Sequence, residues 1–338
     1  MHRLILLSAA LLALVCSVPA VANVTMRVID TGPGLATITR FPDGSIMVYD
    51  TGHFSRDDAV FNEFQDFLGE GDEIDLLIAS HTDADHIGAT DELFNVYRIH
   101  RVIRTGHERE TQTWENHTEA IEDAAEIGLT HDINLNTVNL PHGTEYRFGD
   151  AVVTYLAGFH DTPDDWGVPS GSSEFRNANS IVVRIQYEDN GILLTGDAVG
   201  RDEGNADNTP AIATENYLIQ NRNNRPIDAE ILFAPHHGGD DASSNDFINA
   251  VNPRWVIFSA GHQHDHPLQV TADRYLNLGF AAECLLRTDL GDDESGNDEW
   301  SFGRVNGEQD PAFDNAVIIT LPVGGGDPTA VRGTTACE

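Results

Sequence analysis

The chain has no lysine: its 19 basic residues are all arginine and face 55 aspartates and glutamates, for a formal net charge of −36. A surface this acidic excludes tight, non-specific binding of duplex DNA through a basic face. Self-repulsion on this scale is tolerable where salt screens it, over a Debye length of roughly 3 Å at 1 M. That predicts a halophilic protein from a saline setting. Cysteine is nearly absent, with Cys16, Cys284 and Cys337 widely spaced, which excludes a thiolate metal cluster of the Cys-x-x-Cys kind. In an oxidising compartment Cys284 and Cys337 could form one disulfide tying down the C-terminal tail. Long apolar runs are missing too, since the longest, Leu4 to Val15, is too short to span a bilayer comfortably. No P-loop, dinucleotide fingerprint or serine nucleophile elbow occurs, and no repeat of fixed period.

What is there begins with residues 1–22. Basic His2-Arg3, the apolar stretch and the small-residue Ala20-Val21-Ala22 read as a secretory signal, so the mature protein is expected to be secreted, periplasmic or extracellular, with no membrane segment. A lipoprotein reading at Cys16 is weaker because Val15, not a small residue, precedes it. The remaining 23–338, in a chain with 40% hydrophobic residues, suffices for a sizeable core, and we read it as a single domain.

Alternating apolar residues predict a strand over 23–30, and Leu35–Phe41 and Ser45–Asp50 flank Pro42-Asp43-Gly44 as a hairpin. Further strands are expected at 74–79, 97–104, 151–156, 180–187, 192–195, 231–234, 255–259 and, last, 316–321. Helices are expected at 60–68, from 86 to 94, at 115–127, within 206–224 and at 246–250. Strands alternating with helices indicate an α/β layered domain. The stretch 289–309, rich in Asp, Gly and Glu, reads as an acidic surface insertion.

The most chemistry-bearing segment is His81-Thr82-Asp83-Ala84-Asp85-His86, directly after the apolar run ending at Ala79. Two imidazoles and two carboxylates within six positions meet at a point if a strand turns sharply into a loop, and borderline cations such as Zn²⁺ accept that mixture. The competing reading is a polar loop with Asp85 as a helix N-cap. Three more clusters end apolar strands. Asp197 follows Leu193-Leu194-Thr195-Gly196, and a carboxylate buried there needs a cation or an Arg, or else caps a turn. His236 and His237 follow the strand at 231–234; adjacent side chains diverge, so one is expected to be a ligand and the other to reach substrate or to brace a ligand. His262, His264 and His266 with Asp265 follow the strand at 255–259, and His266 is favoured because Pro267 stiffens its backbone. His160 reads as a loop residue, and His53, His100, His107, His117, His131 and His142 have no supporting context.

The ordered set of strand, His-x-Asp-x-Asp-His, Leu-Leu-Thr-Gly-Asp and Pro-His-His-Gly resembles the metallo-β-lactamase superfamily, and within it the hydrolase domain of ComEC-type competence proteins and their free-standing secreted relatives. Val28–Gly34, Phe41–Gly44, Asp50-Thr51-Gly52, Asn179–Val182, His266-Pro267 and Arg287-Thr288-Asp289 extend the likeness over nearly all of the mature chain. The resemblance implies an αββα four-layer sandwich with a metal site at one sheet edge. By position, His81, Asp83, Asp85 and His86 would form the first ligand group, Asp197 would bridge two divalent ions, His236 or its competitor His237 would complete the shell, and His266 would contact substrate or leaving group. Many members have His where this chain has Asp83, and another His before Asn179-Ser180, where this chain has Arg176 and Asn177. More carboxylate and less imidazole lets Mn²⁺, or the still harder Mg²⁺, compete with Zn²⁺.

The expectation is therefore a hydrolase in which metal ions activate water, with Asp83 or Asp85 as proton acceptor, acting on a phosphodiester in a small molecule or short nucleic acid. Two alternatives stand beside it: a lactone, thioester or β-lactam hydrolase of the same fold, and a non-catalytic metal-binding surface protein.

Overall fold

In the first strand, β1 (Val24–Val28), Val24, Met26 and Val28 are fully buried while Thr25 and Arg27 are partly exposed. That period-two pattern gives one face to a core. The computed structural model describes residues 22–69, 71–261, 263–289, 300 and 316–332. Along the chain follow β2 (Ala36–Arg40), β3 (Ile46–Thr51), α1 (Asp57–Phe67), β4 (Leu76–Ala79), α2 (Thr90–Val96), β5 (Arg101–Arg104), α3 (Gln112–Glu126), β6 (His131–Asn134), β7 (Glu145–Phe148), β8 (Ala151–Ala157), α4 (Ser173–Ala178), β9 (Val182–Tyr187), β10 (Asn190–Leu194), α5 (Ala213–Asn221), β11 (Ile231–Phe233), α6 (Asn245–Val251), β12 (Trp255–Phe258), α7 (Gln269–Asn277), β13 (Leu285–Arg287), β14 (Val317–Leu321) and β15 (Thr329–Arg332).

These strands make two sheets, ordered β15-β14-β1-β2-β3-β4-β5-β6 and β13-β12-β11-β10-β9-β8-β7. One apolar cluster takes Met26, Tyr49, Ile78 and Ile103 from the first sheet and Tyr155, Ile185, Leu194, Phe233 and Ile257 from the second, so the sheets pack face to face. A second cluster seats Val60, Phe64, Leu93 and Ile121 of α1, α2 and α3 on the outer face of the first sheet. A third seats Leu218, Phe247 and Tyr275 of α5, α6 and α7 on the outer face of the other. The architecture is an αββα sandwich. Strands covered on both faces read as continuous apolar runs, as β4 (LLIA), β11 (ILF) and β12 (WVIF) do.

Where β3, β4 and β5 run parallel in one sheet and β10, β11, β12 and β13 in the other, the C-terminal ends of both sets open toward the site.

Several expectations shift. The helix expected from His86 begins at Thr90, because the backbone from 86 to 89 pairs with β3 instead: Thr51 N–H donates to His86 O at 2.8 Å and Gly88 N–H to Gly52 O at 2.8 Å. The strand expected from Tyr97 starts at Arg101, with Ile99 making only an isolated bridge to Ile74. Strand 316–321 is not the last, since β15 pairs antiparallel with it. Of the expected acidic surface insertion, Asp289 and Trp300 are described and both are buried, Asp289 in an ion pair with Arg287; the rest, like the expected signal before residue 22, lies outside the described residues. Cys284 is disulfide-bonded, and Cys337 also lies outside them. No helix among the described residues is long and apolar enough to cross a membrane.

Thr111 caps α3 by accepting a hydrogen bond from Trp114 N–H at 3.3 Å. Thr111→Ala should lower unfolding free energy by about 1 kcal/mol, read as a reduced urea midpoint at unchanged slope.

Candidate metal centre

Asp197 is the hub. It leaves β10 through Gly196, whose φ of 52° and lack of a Cβ matter because a Cβ there would come within 2.8 Å of the Ser80 Cβ. Asp197 is 4% exposed, and its backbone N–H donates to Ser180 Oγ at 3.0 Å. Four imidazole Nε2 atoms surround its carboxylate. His86 and His237 stand 3.2 and 3.4 Å from Oδ1, and His81 and His236 stand 3.7 and 3.8 Å from Oδ2. Asp85 Oδ2 completes the cluster at 3.7 Å from His86 and 3.5 Å from His237.

Each of the four rings is held from behind through Nδ1. His86 Nδ1–H donates to Asp50 Oδ2 at 2.7 Å, His237 to the Ser259 carbonyl at 2.6 Å and His236 to Asp241 Oδ1 at 2.6 Å. Ser80 Oγ–H donates to Asp50 Oδ2 at 2.7 Å, which leaves its oxygen to accept from His81 Nδ1–H at 3.0 Å. With Nδ1 carrying the proton in every ring, each neutral imidazole turns an Nε2 lone pair inward. Two such nitrogens, on His86 and His237, stand only 3.1 Å apart, and lone pairs at that distance repel unless a proton or a cation lies between them. His81 Nε2 and Asp197 Oδ1 are buried with no hydrogen-bond partner. These features fit a divalent cation: nitrogen and oxygen donors converge, the tautomers are set from outside, and two donor atoms are unsatisfied without it. Among the described residues, two sets of ligand atoms each lie within 4.8 Å of one another, His81-His86-Asp197 and Asp85-His86-His237, with His86 in both.

Electrostatics say the same. Burial pushes His86 down, but Asp197, Asp85 and Asp50 outweigh it and hold the ring well above its ordinary value. His236 behaves likewise, pushed down by burial yet raised to about 10, chiefly by Asp241 and Asp197. Burial pushes the Asp197 and Asp85 carboxyls up, and the surrounding imidazoles bring both well below the carboxylate range. His81 lies lower than usual through burial and the neighbouring His86. The carboxylates thus draw positive charge inward, which a bound cation supplies.

The residues singled out from sequence divide as follows. His81, Asp85, His86, Asp197 and His237 come together. His236 joins them from the edge: its ring and that of His237 do not diverge as expected, because both residues take left-handed backbone angles, φ 48° and 54°, that turn both Nε2 atoms to Asp197. His237, not His236, reaches the donor group of Asp85 and His86. His266 lines the same cleft, its ring 5.2 Å from that of His236; burial and the two adjacent histidines hold it well below its ordinary value, so it is neutral. Asp83 lines the cleft but its carboxylate is bonded to Arg109 and to Arg176, with Arg176 Nε at 2.5 Å. His160 is apart, hydrogen-bonded to the Thr105 carbonyl at 3.2 Å. His262 lies outside the described residues. The cleft, about 320 Å³, is also lined by Gly34, Asn177 and Gly261.

Sequence reasoning missed the supporting residues. Asp50, placed by the sequence only at the end of the strand 45–50, is fully buried and also accepts the Ser80 N–H at 2.6 Å. A carboxylate ending an apolar strand is the signal that could have found it, as it found Asp197. Asp241, in a polar loop, had none. Asp50→Asn should weaken metal affinity about 10–100-fold, measurable by competition with a chromophoric chelator.

The metallo-beta-lactamase superfamily model matches residues 29–262. The chain belongs to the metallo-beta-lactamase superfamily. Within that superfamily it is 29% identical over 130 residues to Competence protein ComA of Neisseria gonorrhoeae, covering 38% of this chain and 16% of that protein. It is 25% identical over 200 residues to ComE operon protein 3 of Bacillus subtilis (strain 168), covering 58% of this chain and 21% of that protein. The chain thus spans about a fifth of the length of the curated relatives it matches, and the expected kinship with ComEC-type proteins is borne out. Among solved structures, CmlA, a diiron beta-hydroxylase from Streptomyces venezuelae, aligns over 79% of this chain and 52% of its own at 12% identity, with a TM-score of 0.46. The superfamily membership and the layer order described above agree on the αββα fold expected from sequence.

Proposed function

We propose that this superfamily member is an exported, metal-dependent hydrolase of phosphodiesters, in a small molecule or a short nucleic-acid strand. The observation that carries hydrolysis is the convergence of four Nε2 atoms and Asp85 on Asp197 in an open cleft, every ring held by a partner outside the cluster. Asp85, His86, Asp197 and His237 would hold a metal, with His81 and His236 facing the other oxygen of Asp197, and the nitrogen and oxygen donor set suits Zn²⁺ or Mn²⁺ better than Mg²⁺. A bound divalent ion would supply a water of lowered pKa and a counter-charge for the developing anion.

The chain's own residues do the rest. Asp85 is partly exposed to the cleft, within reach of a water proton; Asp83, bonded to two guanidiniums, is not free to take it. Neutral His266 faces the cleft, where its ring N–H can donate a hydrogen bond to a phosphodiester oxygen or to the departing oxygen. Asp50, Ser80, Asp241 and the Ser259 carbonyl keep the rings from turning, which preserves the geometry on which orientation depends. The likeness to competence proteins supports a nucleic-acid phosphodiester; the net charge of −36 supports a short strand rather than a long duplex, and a saline working environment.

Purified protein with Mn²⁺ or Zn²⁺ should release p-nitrophenol from bis-p-nitrophenyl phosphate, lose that activity to EDTA and regain it on metal addition. Absence of turnover alongside hydrolysis of a lactone, thioester or cephalosporin would overturn the phosphodiester assignment; absence of any turnover would overturn catalysis itself.

A further inference from the structure

We infer that this chain holds one divalent ion tightly, on the Oδ1 side of Asp197, because Arg109 and Arg176 withdraw Asp83 from the Oδ2 side. The inference rests on the reading of the cluster as a metal centre and concerns how many ions it keeps.

The two sides of the Asp197 carboxylate are unequal. Around Oδ1, His86 and His237 present Nε2 at 3.2 and 3.4 Å, and Asp85 Oδ2 lies within 3.7 Å of both nitrogens. Those three donors with Asp197 give a Zn²⁺-like ion four protein ligands, and such an ion can expand to five-coordinate to take a water as well. Around Oδ2, among the described residues, stand His81, at 3.7 Å, and His236, at 3.8 Å. His236 Nε2 is also approached by the Asn177 amide nitrogen at 3.3 Å. Asp83 is the remaining carboxylate lining the cleft there, and it lies near enough to His81 to raise that ring's proton affinity.

Asp83 is not available. Its Oδ1 accepts from Arg176 Nε at 2.5 Å and from Arg109 Nη1, and its Oδ2 faces Arg176 Nη2 at 3.4 Å. Arg176 is itself anchored, its Nη1 donating to the Ser172 carbonyl at 2.9 Å. Charge-assisted bonds from two guanidiniums are among the stronger polar contacts in proteins. A cation recruiting Asp83 would have to break them and then sit beside two positive groups it had left unpaired. The Oδ2 side therefore lacks a private carboxylate and carries extra positive charge nearby, both of which lower its affinity for a second ion.

The test is metal content. Wild type, Asp83→Asn and the double variant Arg109→Ala/Arg176→Ala are loaded with excess Mn²⁺, desalted and assayed by mass spectrometry, with circular dichroism to confirm folding. Wild type and Asp83→Asn should each retain about one ion, and the double variant about two, with an exchange-coupled Mn²⁺ spectrum. If the double variant does not fold, Arg109→Ala alone should tighten titration of a second ion by about tenfold, the scale of one charge-assisted hydrogen bond released from Asp83. Two ions on wild type, loss of an ion in Asp83→Asn, or no second ion after removing the arginines would overturn the inference while leaving the hydrolase reading intact. A wild type that retains none overturns both.

Discussion

Asp197→Ala should abolish retention of metal and reduce phosphodiester turnover at least about a thousand-fold, the scale expected when several kcal/mol of charge stabilisation by a metal is lost. Asp197 lies between all four inward-facing imidazoles, at 3.2 to 3.8 Å from their Nε2 atoms. Removing it deletes the donor common to both sides of the cluster. The charge balance changes as well, because Asp197 is among the groups that raise the proton affinity of His86 and His236. Without it the rings repel one another in the absence of a cation. Metal analysis and turnover of bis-p-nitrophenyl phosphate check the prediction together. A variant that keeps both its metal and its activity would show that Asp197 is structural and that the centre lies elsewhere.

Acid should unfold the protein partly through a histidine that has nothing to do with the metal. His117, on α3, is 1% exposed, with Nδ1 at 3.0 Å from Thr90 Oγ1 and Nε2 buried without a partner. Burial, assisted by Arg104, brings its pKa down to about 3. In the unfolded chain the ring titrates near the ordinary value of about 6.5. Between those two values the unfolded state binds a proton that the folded state refuses. The contribution to stability is therefore complete above about pH 6.5 and is lost as pH falls toward 3, by up to about 5 kcal/mol from this group alone. Asp85 and Asp197, both held below the carboxylate range, add losses of the same sign at lower pH. The difference between wild type and His117→Gln isolates the histidine. Urea midpoints at pH 7, 6, 5 and 4 should fall more steeply for wild type; parallel curves would refute the assignment.

The legible parts of this chain are those whose physics is local. β4, β11 and β12 are covered by helices outside and by the opposing sheet inside, so every position must be apolar and the runs stand out from polar neighbours. The His81–His86 and Asp197 clusters were visible because carboxylates and imidazoles ending such strands need partners. β6 and β7 were not visible: they lie at sheet edges with mostly half-exposed residues, and their sequences HDIN and EYRF carry little apolar signal. The role of Asp50 is not visible along the chain because its partners Ser80 and His86 are 30 and 36 positions away.

By itself the sequence determined the layered α/β class, the order of the strand-end clusters and the side-chain types they carry, since apolar periodicity and residue type are properties of short segments. Which carboxylates serve the centre was decided only by the tertiary structure. Asp83 and Asp85 are two positions apart on one loop, yet Asp85 turns to His86 and His237 while Asp83 turns to Arg109 and Arg176, side chains brought to it from 26 and 93 positions away. Spacing along the chain could not distinguish them, because the partner that claims each carboxylate comes from a different part of the fold.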